Sequence, residues 1–279
     1  MIKSKYLLLM MMIISILSSC KQGKKAPEDM RFKVENLSWE ENSNALGVKI
    51  AVSYPTGDDI LSSSIREWIN ETLGGTCEYN LIAGDSVLMY YGKKKADEAL
   101  DFFKEINDPQ AEFNSCCYIQ IKKVFETKEF VSFTYEVYEY SGGAHGSEVK
   151  DGGLFRKSDG RRFDWDIFTD NGKEALRNII KEELKTNYFK VSTDEEFYSN
   201  IFVQNATYQF PLPSASPIFK RDGVTFIYQQ YEITAYALGM PQVTLPYERI
   251  IEYCTHAGKT MIKSTNDDVA KTLPYGSNY

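Results

Sequence analysis

The chain has 279 residues, of which 43% are hydrophobic and 25% charged, and its formal net charge is −7. That length buries a real core and exceeds one typical domain. The acidic balance argues against a nucleic-acid partner, since such binding relies on Lys and Arg neutralising phosphates.

The first twenty residues, MIKSKYLLLMMMIISILSSC, place Lys3 and Lys5 ahead of an apolar run from Tyr6 to Ile14, continuing through Ile16 and Leu17. Small residues follow and then Cys20. This is the pattern of a secretory signal peptide. The run falls short of the roughly 20 residues a bilayer crossing needs. Leu17-Ser18-Ser19-Cys20 resembles a bacterial lipobox, which implies cleavage before Cys20 and lipidation of its thiol. Removing residues 1–19 takes away Lys3 and Lys5 and no acid, leaving 30 basic against 39 acidic side chains and a formal charge of −9. An acylated Cys20 would hold the protein on a membrane by chain burial, at about 0.8 kcal/mol per CH₂. Lys21, rather than an acid, follows the cysteine, which by resemblance to sorting rules favours the outer over the inner membrane. Residues 20–31, including KQGKKAPED, are polar and aperiodic and read as a tether.

The remaining cysteines are Cys77, Cys116, Cys117 and Cys254. In an oxidising compartment an even number permits disulfides. A bridge from Cys77 to Cys116 or Cys117 is one expectation and four buried free thiols the other.

Residues 32–55 alternate as one or two strands. Ser62, Ser63 and Ser64 offer N-caps to a helix whose apolar stripe is Ile65, Trp68, Ile69 and Leu73, stopped by Gly74-Gly75. A second helix is predicted over about 96–106, burying Ala96, Ala99, Leu100 and Phe103, with Pro109 beyond its end. Tyr118 to Lys122 and Val131 to Val137 then form a hairpin across Glu126–Glu129, with one face core and the other wet. The second strand runs into Gly142-Gly143-Ala144-His145-Gly146. Two glycines able to take positive φ let the chain turn, and Gly146 allows close backbone approach. A second glycine pair, Gly152-Gly153, precedes Leu154-Phe155. Beyond a Ser158-Asp159-Gly160 turn lie another strand and a helix over about 173–189, with Leu176, Ile179, Ile180, Leu184 and Tyr188 buried. The C-terminal third reads as strands over 224–228, 229–233, 235–239 and 243–247. Irregular alternation of strands and helices favours α+β: mostly antiparallel sheets packed by a few helices, in two associated subdomains.

Sequence chemistry is sparse. The two histidines, His145 and His256, lack zinc-hydrolase spacing. Cys254-Thr255-His256 would set thiol and imidazole on one face of a strand. No G-x-S-x-G elbow accompanies a nucleophile. Asp164 and Asp166 on one side of a strand, with Glu136 and Glu139 nearby, are carboxylates of the kind a glycosidase pairs, but with 39 acids such coincidences are cheap. No catalytic residue, metal site or cofactor is assigned. Nineteen tyrosines suit a sugar or protein surface, and suit a sheet equally well.

Gly142-Gly143-Ala144-His145-Gly146 after an aromatic strand, Asp166-Ile167-Phe168 into a helix, and GVTFIYQQYEITAYALGMPQVTLPYERI resemble one family. It is the domain of unknown function in the C-terminal extracellular part of the lysozyme-sensing anti-sigma factor RsiV. Tyr231-Glu232-Ile233 followed by Tyr236 and Gly239 is the most specific element. Val52-Ser53-Tyr54-Pro55 leading to Trp68-Ile69-Asn70 is similar to its companion N-terminal domain, shared with the peptidoglycan deacetylase PdaC. Together the two cover most of residues 32–255. The resemblance implies an exported envelope module recognising a protein such as lysozyme or a cell-wall glycan. With no spanning helix, sigma-binding segment or deacetylase domain in the sequence, neither transmembrane signalling nor deacetylation carries over. A glycan-directed hydrolase or deacetylase and a lysozyme inhibitor are the alternatives. Gly142, Gly143, His145, Gly146, Tyr231, Glu232 and Tyr236 are the candidate binding or loop-shaping residues. The organisation expected is a signal peptide over 1–19, a tether over 20–31, domains over 32–125 and 126–255, and a tail over 256–279.

Overall fold

The computed structural model describes residues 31–43, 46–106, 114–202 and 209–266. The expected signal peptide, Cys20, the expected tether up to residue 30, Pro109 and the last residues, 267–279, lie outside the described residues. Arg31–Tyr279 form one compact unit.

Two sheets organise it. The larger holds β1 (Val34–Asn42), β2 (Leu46–Pro55), β3 (Ser115–Glu126), β4 (Phe130–Tyr140), β5 (Ser147–Arg156) and β6 (Arg162–Phe163) in sequence order. All neighbours are antiparallel except β2 and β3, which run parallel. A parallel pair needs a long crossover, and the one here carries α1 (Ile60–Leu73) and α2 (Gly84–Ile106). Then come α3 (Asp170–Glu183) and α4 (Asp194–Ser199), followed by the second sheet of β7 (Ile218–Lys220), β8 (Gly223–Ile227) and β9 (Gln242–Leu245), all antiparallel, and by α5 (His256–Lys263). The chain is therefore α+β with mostly antiparallel sheets. Its described residues gather into two hydrophobic cores, one holding α1, α2 and the face of the large sheet that bears Val48, Ile50, Ile119, Ile121 and Phe133, the other the second sheet with α3, α4 and α5. The large sheet runs on past residue 125, so a cut at 125/126 falls at the turn of the β3–β4 hairpin, inside one sheet.

Local chemistry moved several boundaries. The cap of α1 is Asp59, whose carboxylate accepts from the Ser62 N–H at 2.9 Å, not a serine of the run that follows. Gly74 ends the helix at φ 127, as the glycine pair predicted. Helix α2 begins twelve residues ahead of its expected start, and its buried residues are Val87, Leu88, Tyr91 and Ala96, whereas Leu100 is exposed. At Gly92 it lies directly on the Trp39 ring, leaving no room for a side chain. Gly84-Asp85-Ser86 forms the first turn of this helix.

The wet face of the β3–β4 hairpin is wet only at one end. Ser132 and Thr134 are buried because the second sheet packs over them. Residues 229–239, expected as two strands, form a turn and a 3-10 turn at Tyr236–Leu238. The expected tail begins as helix α5, capped by Thr255 and burying Met261 and Ile262; beyond it, Ser264 Oγ meets Thr127 Oγ1 at 2.6 Å.

Candidate functional site

Strand β4 ends in Tyr138, Glu139 and Tyr140, and the chain then reverses through Gly142 and Gly143 at φ 98 and 87. An L side chain rarely adopts those values, so the turn needs glycine there. Gly146 is buried under Tyr138, and a Cβ on it would stand 2.5 Å from that ring. The close approach expected of Gly146 is thus to a tyrosine.

His145 stands exposed between them. Its Nδ1 lies 3.0 Å from the Gly146 carbonyl and its Nε2 lies 3.2 Å from the Tyr231 hydroxyl. A carbonyl only accepts, so Nδ1 carries the proton and Nε2 of the neutral ring accepts from Tyr231. The imidazole stacks on Tyr236 with centroids 3.7 Å apart and planes at 15°. Two segments far apart in sequence therefore meet in one ring cluster.

The loop that delivers the two tyrosines is held on purpose-built bonds. Tyr231 sits at φ 63, a left-handed value uncommon for a bulky residue, and is 54% exposed. Such backbone persists only where its surroundings over-determine it. Glu232 does so, accepting from the Gln229 N–H at 2.6 Å with one oxygen and from the Ser214 N–H at 2.7 Å with the other. Beyond the short β6, no strand among the described residues lies beside the outer edge of β5. There the Gln230 side chain accepts from the Glu148 N–H at 2.9 Å. The Gln229 amide both accepts from the Lys150 N–H at 3.1 Å and donates to the Lys150 carbonyl at 2.7 Å. Two glutamine side chains thus stand in for a missing strand and satisfy backbone groups that an edge leaves open. Between loop and sheet lies an open cleft of about 380 Å³, with His145, Glu148, Gln230 and Tyr231 in its walls.

The seven expected residues come together in part. Gly142, Gly143 and Gly146 shape the turn, exposed His145 and Tyr231 form the ring cluster with half-buried Tyr236, and Glu232 braces the loop from behind. Gln229, Gln230, Tyr118 and Tyr138 were not singled out. The even spacing of Tyr118 and Tyr138 in their strands was the available signal for the last two, which pair across β3 and β4 with planes at 15°. For the glutamines, nothing in the sequence tells a side chain bonded to an edge strand from one in solvent.

The groups weighed for chemistry are dispersed. Cys254 is buried, Thr255 caps α5 and exposed His256 opens it, so thiol and imidazole do not share a strand face. Asp164 caps a 3-10 turn containing Asp166 rather than alternating with it on a strand. Among the described residues, no group of three or more His, Cys, Asp or Glu is placed to hold a metal. All four described cysteines are free, so the bridge from Cys77 to Cys116 or Cys117 is not formed. Cys77 packs behind α1, where its N–H bonds to the Tyr91 hydroxyl, while the Cys117 thiol faces Glu139. Burial, with Glu139 beside it, pushes the Cys117 thiol up to about 12, and burial does the same to Cys254, so neither is a ready thiolate. Asp151 is a half-buried acid in the wall of another cavity. Burial raises its carboxyl above the usual range, yet both the Gly152 and Ser216 N–H groups, each at 2.7 Å, bond to its Oδ1, and this brackets the two sheets together.

Two family models match the chain. Residues 40–148 match the model described as deacetylase PdaC, and residues 165–248 match the protein of unknown function DUF3298. The two matches follow one another along the chain, a segment similar to PdaC and then one similar to DUF3298, in the order of the domain pair that the sequence resemblance named. A DUF3298 family member from Bacteroides fragilis superposes with a TM-score of 0.68 at 22% identity, covering 84% of this chain and 97% of that one. A DUF3298 family protein from Pseudomonas aeruginosa gives 0.57 at 17%, covering 82% and 96%. At these identities the likeness is one of fold. No curated protein matches the chain.

Proposed function

We propose that this protein is an exported, lipid-anchored cell-envelope module that binds a protein such as lysozyme or a cell-wall glycan and has no catalysis of its own. Cys20 carries the lipid, and the outer membrane is the favoured location. The observation behind this reading is the His145, Tyr231 and Tyr236 cluster. Its His145 and Tyr231 rings are exposed beside half-buried Tyr236, it is assembled from two distant segments, and it is paid for with a strained Tyr231 backbone. Rigid rings of this kind supply contact area at little cost in side-chain entropy. Among the described residues no helix is long and apolar enough to cross a membrane, which is compatible with anchoring through Cys20.

The test is retention of the chain from residue 21 onward on immobilised lysozyme and on purified peptidoglycan. Retention on one of them is expected, falling about tenfold or more in Tyr236→Ala and His145→Ala, as for central ring contacts. Failure to bind either material would overturn the reading of the ligand. The name of the N-terminal family model keeps a glycan-directed hydrolase or deacetylase as the rival. Glycan turnover that vanishes in His145→Ala would favour it, and loss of lysozyme activity on mixing would mark an inhibitor instead.

A further inference from the structure

The sheet face that turns away from α1 and α2 is only half covered. Over Gly152 lies the chain leading into β7, where a Cβ would meet Ile218 and the Pro217 carbonyl at 3.1 Å. Across β1, β2 and β3 the same face is open and holds a groove of about 450 Å³. Register fixes what lines it. Asn36 stands opposite Ser53, Ser38 opposite Ala51, and Ala51 beside Gln120, so strand alternation turns all five to this face. Ser53 Oγ donates to Asn36 Oδ1 at 3.0 Å. The depth comes from Ser38, Ala51 and Ser53, whose side chains are too short to fill the space. Next along β3 and β4 stand Tyr118 and Tyr138, 47% and 39% exposed, with near-parallel rings.

We infer that this groove is a second ligand site, separate from the His145 cluster, and that it takes a neutral oligosaccharide. Its floor offers hydroxyl and carboxamide groups, which both donate and accept as sugar hydroxyls and N-acyl groups require. The tyrosines offer flat apolar faces with a polar tip, matched to the C–H face of a pyranose. Of the lysines on or beside this face, Lys49 pairs with Glu40 at 3.5 Å, Lys150 with Glu148 at 2.8 Å and Lys123 with Glu126 at 2.9 Å, while Lys122 also lines the groove, so no run of cations gathers here to hold a polyanion. A protein partner would want large apolar or arginine anchors at the centre of its contact, and the floor presents small polar groups instead. The volume lies in the range of small-ligand sites, about 300–1,000 Å³. This rests on the binding-module reading, but on different residues, so the two can fail separately.

The experiment is calorimetric titration of the full chain in detergent with the neutral β-1,4-linked N-acetylglucosamine tetramer, and with heparin as the polyanion. Saturable binding of the tetramer and none of heparin is expected. Tyr118→Ala should weaken it about tenfold, a loss of ring contact, and Ala51→Trp, which fills the groove from its floor, should abolish it. His145→Ala should leave it within twofold. Tyr118 is exposed, so its variant keeps the proposal testable if Ala51→Trp does not fold, with melting temperatures distinguishing the cases. Absence of saturable tetramer binding overturns the inference, as does binding unchanged in a folded groove variant. Loss of tetramer binding in His145→Ala alone moves the sugar to the ring cluster, which overturns the groove and leaves the broader reading standing. If the tetramer, lysozyme and peptidoglycan are all refused, both readings fall.

Discussion

Replacing Glu126 by glutamine is expected to cost about 3–5 kcal/mol, the penalty for breaking a buried ion pair and leaving its partner uncompensated. Glu126 is fully buried at the end of β3 and accepts from the Phe32 N–H at 2.7 Å, from Lys123 Nζ at 2.9 Å and from Lys157 Nζ at 2.6 Å. Lys123 also donates to the Phe32 carbonyl, so one carboxylate ties the start of the fold to two strands. Burial alone would raise its pKa. Hydrogen bonds from Lys123 and Lys157 outweigh that and hold the carboxyl below its usual range. For Lys157 burial wins over the attraction of Glu126 and lowers its pKa. The acid-side response follows the carboxylate, which both ammonium groups engage. A carboxyl with a depressed folded pKa stabilises fully above its unfolded value, here 4.5, and loses that contribution as pH falls through the folded value below it. The wild-type melting temperature should therefore fall more steeply below pH 4.5 than that of Glu126→Gln, while at neutral pH the variant should melt roughly 10 °C lower. Parallel curves would show that Glu126 does not titrate as part of this network. Lys157→Met in the Glu126→Gln background should recover part of the loss, since it removes the stranded charge.

This network marks a limit of what the sequence makes legible. Strand periodicity located β3 and β4, and glycine chemistry located the turn before His145, because both signals are local. The α+β class and the two-domain resemblance also emerged. Burial of Glu126 depends on Phe32 and Lys157, 94 residues behind and 31 ahead, and no window on the sequence joins them. The same holds for the second sheet lying over Ser132 and Thr134, which turned an expected wet face into an interior. Residues 229–239 misled for a related reason. Their alternating aromatic pattern fits a strand, but Glu232 and the Gln229 and Gln230 amides hold them in a turn. Of the candidate site, the loop glycines and His145 were readable together. Tyr231 and Tyr236 entered the candidate set through the family resemblance, and their closing on that same histidine is visible only in the folded chain.

Removing the indole of Trp68 is expected to cost about 3–5 kcal/mol, as for other large aromatic truncations in a core. The ring packs on Phe133 at 6.0 Å and Phe155 at 5.6 Å between centroids, and joins α1 to the centre of the large sheet. It is also what the second glycine pair accommodates. A Cβ on Gly153 would stand 2.8 Å from the indole, while one on Gly152, on the opposite face, would press at 3.1 Å on the Ser216 and Pro217 carbonyls. Strand β5 is thus pinched between α1 on one side and the segment entering β7 on the other. Gly153→Ala in the wild type should cost about 1–3 kcal/mol through overpacking, and in the Trp68→Ala background the added methyl should become neutral or favourable by filling the cavity. Chemical denaturation of the four proteins reads that coupling directly. Equal penalties in the two backgrounds would place the strain elsewhere in β5. Because Lys150 and Glu148, two and four residues before Gly152, hold the glutamines that carry Tyr231, the Gly153→Ala protein should also weaken binding at the His145 cluster. Trp68→Ala, which leaves β5 free to keep its place, should affect stability more than binding.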